Sequence, residues 1–190
     1  MNDTLRLEVV PEQTHGFEVL LHVNDVEMTS EGAGLGRDPI DLLVPDNKFV
    51  ATEEPHTMIV ATCECGEYGC GRTDVTIVRE GDTVRWTWLF EEPMPRDAVF
   101  DAGTYDREIA RFSQDFSWET PARTAARLVL TGTTNITWAG AHHDDPERFR
   151  VLVKNDWGRT TEKDFTWEGR SPEALARAVL SELGQRAGGA

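Results

Sequence analysis

A chain of 190 residues with 39% hydrophobic and 28% charged positions has the composition of a folded protein. That excludes a disordered tract, and the chain has no need of disulfides to replace a missing core. Its formal charge of −15 repels nucleic-acid backbones and anionic lipid, and its apolar runs are far too short to read as membrane spans.

The charge is unevenly spread. Residues 1–95 carry 19 acidic and 6 basic side chains, whereas residues 96–190 carry 15 and 13, so nearly all the excess lies in the first half. Solubility is the plain consequence of such acidity, and docking of a basic protein is the functional one. The first residues show no basic cluster leading into an apolar stretch, and three cysteines make an odd set for a disulfide framework. Both observations lead to the expectation of a reducing, cytoplasmic compartment.

Residues 5–10 alternate as a first strand, and a longer one runs from Phe17 to Met28, with Asn24-Asp25 placed to break it by a turn. His22 reads as a half-exposed strand residue. The glycines at 32, 34 and 36 lack the Lys-Ser/Thr of a phosphate loop, so residues 31–36 read as a flexible loop. Residues 38–45 form a short apolar element bounded by prolines. Strands are expected at 57–62 and 74–78. Gly81-Asp82 then turns the chain into the strongest strand of the sequence, 83–90, with Val84, Trp86, Trp88 and Phe90 on one face. Residues 91–95, with two prolines, mark the boundary between the acidic half and the rest.

The second half opens with a short strand at Val99-Phe100. Thr104 is the expected cap of a helix over 105–116, whose apolar face is Ile109, Phe112 and Phe116. Thr120-Pro121 starts another helix, which Gly132 stops. Strands follow at 136–138, 149–154 and around Phe165 and Trp167. Ser171-Pro172 begins a last helix that Gly184 ends. The expected fold is α+β, a mainly antiparallel sheet with two or three helices packed on one face. It is expected as a single domain over 1–184, with a sheet-rich half at 1–95, a mixed half at 96–184 and a frayed tail at 185–190.

All three cysteines fall within nine residues, Cys63-Glu64-Cys65-Gly66-Glu67-Tyr68-Gly69-Cys70-Gly71, between two predicted strands. Cys63, Cys65 and Cys70 supply three of the four ligands that a structural zinc takes, or the three of a catalytic zinc with an open position. His56, seven residues upstream of Cys63, is the expected fourth ligand, with His142 and His143 as other donors. The same spacing also suits packed reduced thiols, or a disulfide from Cys63 or Cys65 to Cys70. Glu64 and Glu67 would raise a thiol pKa, which opposes a catalytic thiol. Ala141-His142-His143-Asp144-Asp145-Pro146 gathers imidazoles and carboxylates, as a metal site does and as a polar loop before a strand does. No serine elbow, HExxH, nucleotide fingerprint or kinase set occurs.

The C-x-C-G-x-x-G-C loop at 63–70, followed by Gly81-Asp82-Thr83-Val84-Arg85-Trp86, resembles a family of small uncharacterised bacterial proteins with that signature. The resemblance covers residues 15–110 and implies that loop and hairpin form one unit. It brings no catalytic residues. The leading expectation is a non-enzymatic, cytoplasmic bacterial protein with a structural zinc or thiol knuckle. Its acidic half would bind a basic protein, as an immunity protein or adaptor does, and no nucleic acid or membrane is expected. Two other functions are a metal-dependent hydrolase using the cysteine loop with His142 or His143, and a redox-responsive thiol switch.

Overall fold

The computed structural model describes residues 2–12, 16–63, 65, 70–142, 144–155 and 157–186. The chain divides into two compact units, Met1–Trp118 and Glu119–Ala190. The proline-rich break at 91–95 is no boundary. It joins two neighbouring strands of one sheet, so the chain crosses it without leaving the unit.

Unit 1 holds two sheets. The first is β1 (Leu5–Pro11), β2 (Phe17–Val23) and β3 (Val26–Glu27), in that order and antiparallel. The long strand expected over 17–28 is therefore a hairpin. Asn24 and Asp25 have φ of 53° and 65°, the paired left-handed conformation of a tight hairpin turn, which these two residue types tolerate best after glycine. Next come α1 (Met28–Glu31), β4 (Leu35–Gly36) and α2 (Pro39–Leu43). Structure thus replaces part of the loop expected at 31–36. A Cβ at Gly36 would lie 2.3 Å from the Val19 carbonyl oxygen, and this close approach requires glycine.

The second sheet has the order β4-β5-β6-β7-β8, with β5 (His56–Thr62), β6 (Arg72–Glu80), β7 (Thr83–Phe90) and β8 (Ala98–Asp101). Gly81, at φ +61°, makes the β6–β7 turn. Alternate residues of both sheets face one core. Leu7, Val19 and Leu21 meet Val75, Ile77, Val84 and Trp86, and Tyr105, Ile109 and Phe112 of α3 (Ala102–Gln114) close it. Trp86 is fully buried, with ring centroids 5.5 Å from Phe100 and 6.1 Å from Phe49 and Tyr105. A buried aromatic ring of this kind contributes on the order of 3 kcal/mol.

Two further expectations fail in this unit. Helix α3 begins three residues early, because the Asp101 carboxylate accepts the Thr104 N–H at 2.9 Å and so takes the capping role assigned to Thr104. Phe116 consequently lies beyond the helix and is half exposed. Phe90 leaves the core face of β7. Its backbone is left-handed, at φ 67°, which turns the ring outward to 62% exposure.

Unit 2 comprises α4 (Pro121–Gly132), β9 (Ile136–Ala141), β10 (Arg148–Lys154), β11 (Thr160–Thr166) and α5 (Pro172–Arg186), with an antiparallel sheet of order β11-β10-β9. Thr120 caps α4 and Pro121 opens it, as its sequence requires. A Cβ on Gly132 would lie 2.5 Å from Leu180 Cδ1, so this glycine sets the close approach of α4 and α5. Helix α5 continues past Gly184, since one glycine weakens a helix by only about 1 kcal/mol. Residues 187–190 of the expected tail lie outside the described residues. The α+β class and antiparallel pairing hold, with the strands distributed over three sheets. Among the described residues, no helix is long and apolar enough to cross a membrane.

Candidate metal centre

Strands β5 and β6 deliver the cysteines. They pair antiparallel as far as Thr62 opposite Arg72, and the Cys63 N–H then donates to the Gly71 carbonyl at 2.9 Å. The β5–β6 hairpin therefore carries a further ladder-like bond between Cys63 and Gly71. A Cβ on Gly71 would fall 2.1 Å from Glu91 Oε1, the movable end of an exposed side chain, which places the chain leaving β7 against the loop base. The Glu91 N–H also donates to the Arg72 carbonyl at 3.1 Å. Arg72 holds its guanidinium carbon 4.1 Å from the centre of the exposed Phe90 ring, and its Nε 3.4 Å from Asp74 Oδ1.

The sulfurs of Cys63, Cys65 and Cys70 all lie within 4.8 Å of one another, and all three cysteines are unbridged. Among the described residues this is the only group of three or more His, Cys, Asp or Glu side chains close enough to share a metal ion. A metal bonded to thiolates at about 2.3 Å holds their sulfurs roughly 4 Å apart, so the cluster is of the right size once the Cys63–Cys65 pair opens from 2.7 Å. Cys63 is half-buried, and Cys65 and Cys70 are exposed. The Cys63 and Cys65 thiols are hydrogen-bonded, at 2.7 Å between sulfurs. The Cys63 thiol is pushed up to about 11, first by its hydrogen bond with Cys65 and then by that with Cys70, because a shared proton between sulfurs favours the protonated form. Glu64 and Glu67, from which a rise was also expected, lie outside the described residues.

His56 does not join the thiols. It opens β5 at the end remote from Cys63, and six strand steps of about 3.3 Å each separate the two ends. Its Nε2 donates to the Lys48 carbonyl at 2.7 Å. His22, on β2, faces Glu8 Oε2 at 3.9 Å. His142 belongs to unit 2, where its Nδ1 accepts the Asp144 N–H at 3.1 Å as part of a local loop. His143 lies outside the described residues.

A feature that periodicity gave no sign of lies at the open edge of β1. There the Leu7 N–H donates to Glu108 Oε1 at 2.6 Å, and the Leu7 carbonyl accepts from Arg111 Nη2 at 2.5 Å. An ion pair on α3 thus occupies edge groups that another strand would otherwise take. The groove beside it, about 540 Å³, is lined by Arg6, Glu8, Asp115 and Trp118 among others. Only the three-residue spacing of Glu108 and Arg111 on a helix hints at this pair.

No family model matches the chain, and no curated protein or solved structure matches it.

Proposed function

We propose that this is a non-enzymatic bacterial cytoplasmic protein in which Cys63, Cys65 and Cys70 hold zinc and the acidic first unit docks a basic protein. The observation that carries this reading is the thiol cluster. Three soft sulfur donors at the end of one hairpin would suit zinc, and a structural site would take its fourth ligand beside the exposed Cys65 and Cys70. Bound metal would tie Cys63 and Cys65 to Cys70, adding to the bond between Cys63 and Gly71.

Charge supports the second part. The unit boundary sorts charge more sharply than the midpoint of the sequence does. Residues 1–118 carry 24 acidic and 9 basic side chains, whereas residues 119–190 carry ten of each. The whole excess of −15 therefore sits on the unit that bears the cysteine loop. Such a field accelerates encounter with a basic surface and weakens as salt rises.

The test is retention from cell extract on the immobilised protein at low and high salt, beside an immobilised 119–190 fragment. Basic proteins held at low salt by the full chain alone, and released at high salt, are the expected result. Equal retention by the neutral fragment, or none by either, would remove the docking role.

A further inference from the structure

We infer that Cys63 and Cys65 form a thiol–disulfide exchange site for low-molecular-weight disulfides, and that oxidation of this pair expels the metal from the cluster. The release half rests on the metal reading above, whereas the exchange half does not.

Direct contact points to the pair. The Cys63 and Cys65 thiols are hydrogen-bonded with their sulfurs 2.7 Å apart, and Cys70 belongs to the same 4.8 Å cluster. The sequence alone pointed elsewhere, to a bridge ending at Cys70. Accessibility then divides the roles. Cys65 is exposed, so an incoming disulfide can reach its sulfur. Cys63 is half-buried, and its backbone N–H is fixed to the Gly71 carbonyl at the end of the β5–β6 ladder. It is the anchored, resolving sulfur.

The chemistry balances. The Cys65 thiolate attacks one sulfur of the small disulfide and expels the other half as a thiolate, leaving a mixed disulfide on Cys65. Cys63, after losing its proton to water, attacks the Cys65 sulfur and expels the second half. The protein loses two protons and two electrons, and the small disulfide takes up the same number to become two thiols. A bridge across one intervening residue closes a strained ring, so excess thiol reverses it readily. Two of the three sulfurs then cease to be anionic ligands, and Cys70 alone does not retain the ion.

The experiment oxidises full-length zinc-loaded protein with glutathione disulfide, follows zinc with a chromogenic indicator, and maps the bridge by peptide mass spectrometry. Expected are a Cys63–Cys65 bridge, a Cys70 that still alkylates, and release of about one equivalent of zinc, all reversed by reductant. Cys70→Ser should still form the bridge, whereas Cys65→Ser should not. A bridge to Cys70, or a stable glutathione adduct with no bridge, would overturn the exchange site. A mapped Cys63–Cys65 bridge with zinc retained would overturn the release. Reduced protein that takes up no zinc would contradict the metal reading and the release together, leaving the mapped bridge to decide the exchange site.

Discussion

Asp3 is 8% exposed and ties the first residues of the chain to two distant elements of unit 1. Its carboxylate accepts from Arg96 at 2.8 and 2.7 Å, from the Val99 N–H at 2.9 Å and from Asn24 at 2.6 Å. The Arg96 hydrogen bonds hold this carboxyl well below the usual carboxylate range. A depressed acid stabilises the fold fully above its unfolded pKa, near 4, and loses that contribution as pH falls towards its folded value. Urea unfolding of Asp3→Asn should therefore show a deficit of about 2 kcal/mol at pH 7 that shrinks below about pH 4. A deficit independent of pH would contradict the assignment. Tyr105 makes a second such knot, donating to the Phe49 carbonyl at 2.6 Å and accepting from Trp86 Nε1 at 3.2 Å. Tyr105→Phe orphans both buried groups and should cost about 2 kcal/mol, read from the same unfolding curves.

The start of α3 depends on one side chain. Asp101→Ala should lower stability by about 1 kcal/mol, and Thr104→Ala by less, because the Thr104 N–H keeps its acceptor when the hydroxyl is lost. Thermal melts with the opposite ranking would return the cap to Thr104. The β6–β7 hairpin was legible because strict alternation and Gly81-Asp82 both act locally. Phe90 was not, since alternation assumes extended backbone and this residue has left it. His56 misled for a related reason: seven residues is close in sequence, yet an extended strand converts that spacing into distance. The cysteine loop was legible because clustering within a few residues limits how far its sulfurs can separate.

At the scale of the molecule, the boundary after Trp118 escaped the sequence reading because strand pairing is non-local. Prolines at 93 and 95 look like a linker until β8 is seen to pair with β7. Each unit has its own buried apolar set, so fragments 1–118 and 119–190 should each unfold cooperatively in urea. Fragments that lack a cooperative transition would show the units to be interdependent. The protein's central feature remains the thiol cluster on the acidic unit. Its most direct test is elemental mass spectrometry of protein purified without chelator, paired with a count of thiols reactive in the native state. About one zinc per chain, with thiols that react only after chelation, is the predicted result. A chain without metal, whose three thiols react freely, would contradict it.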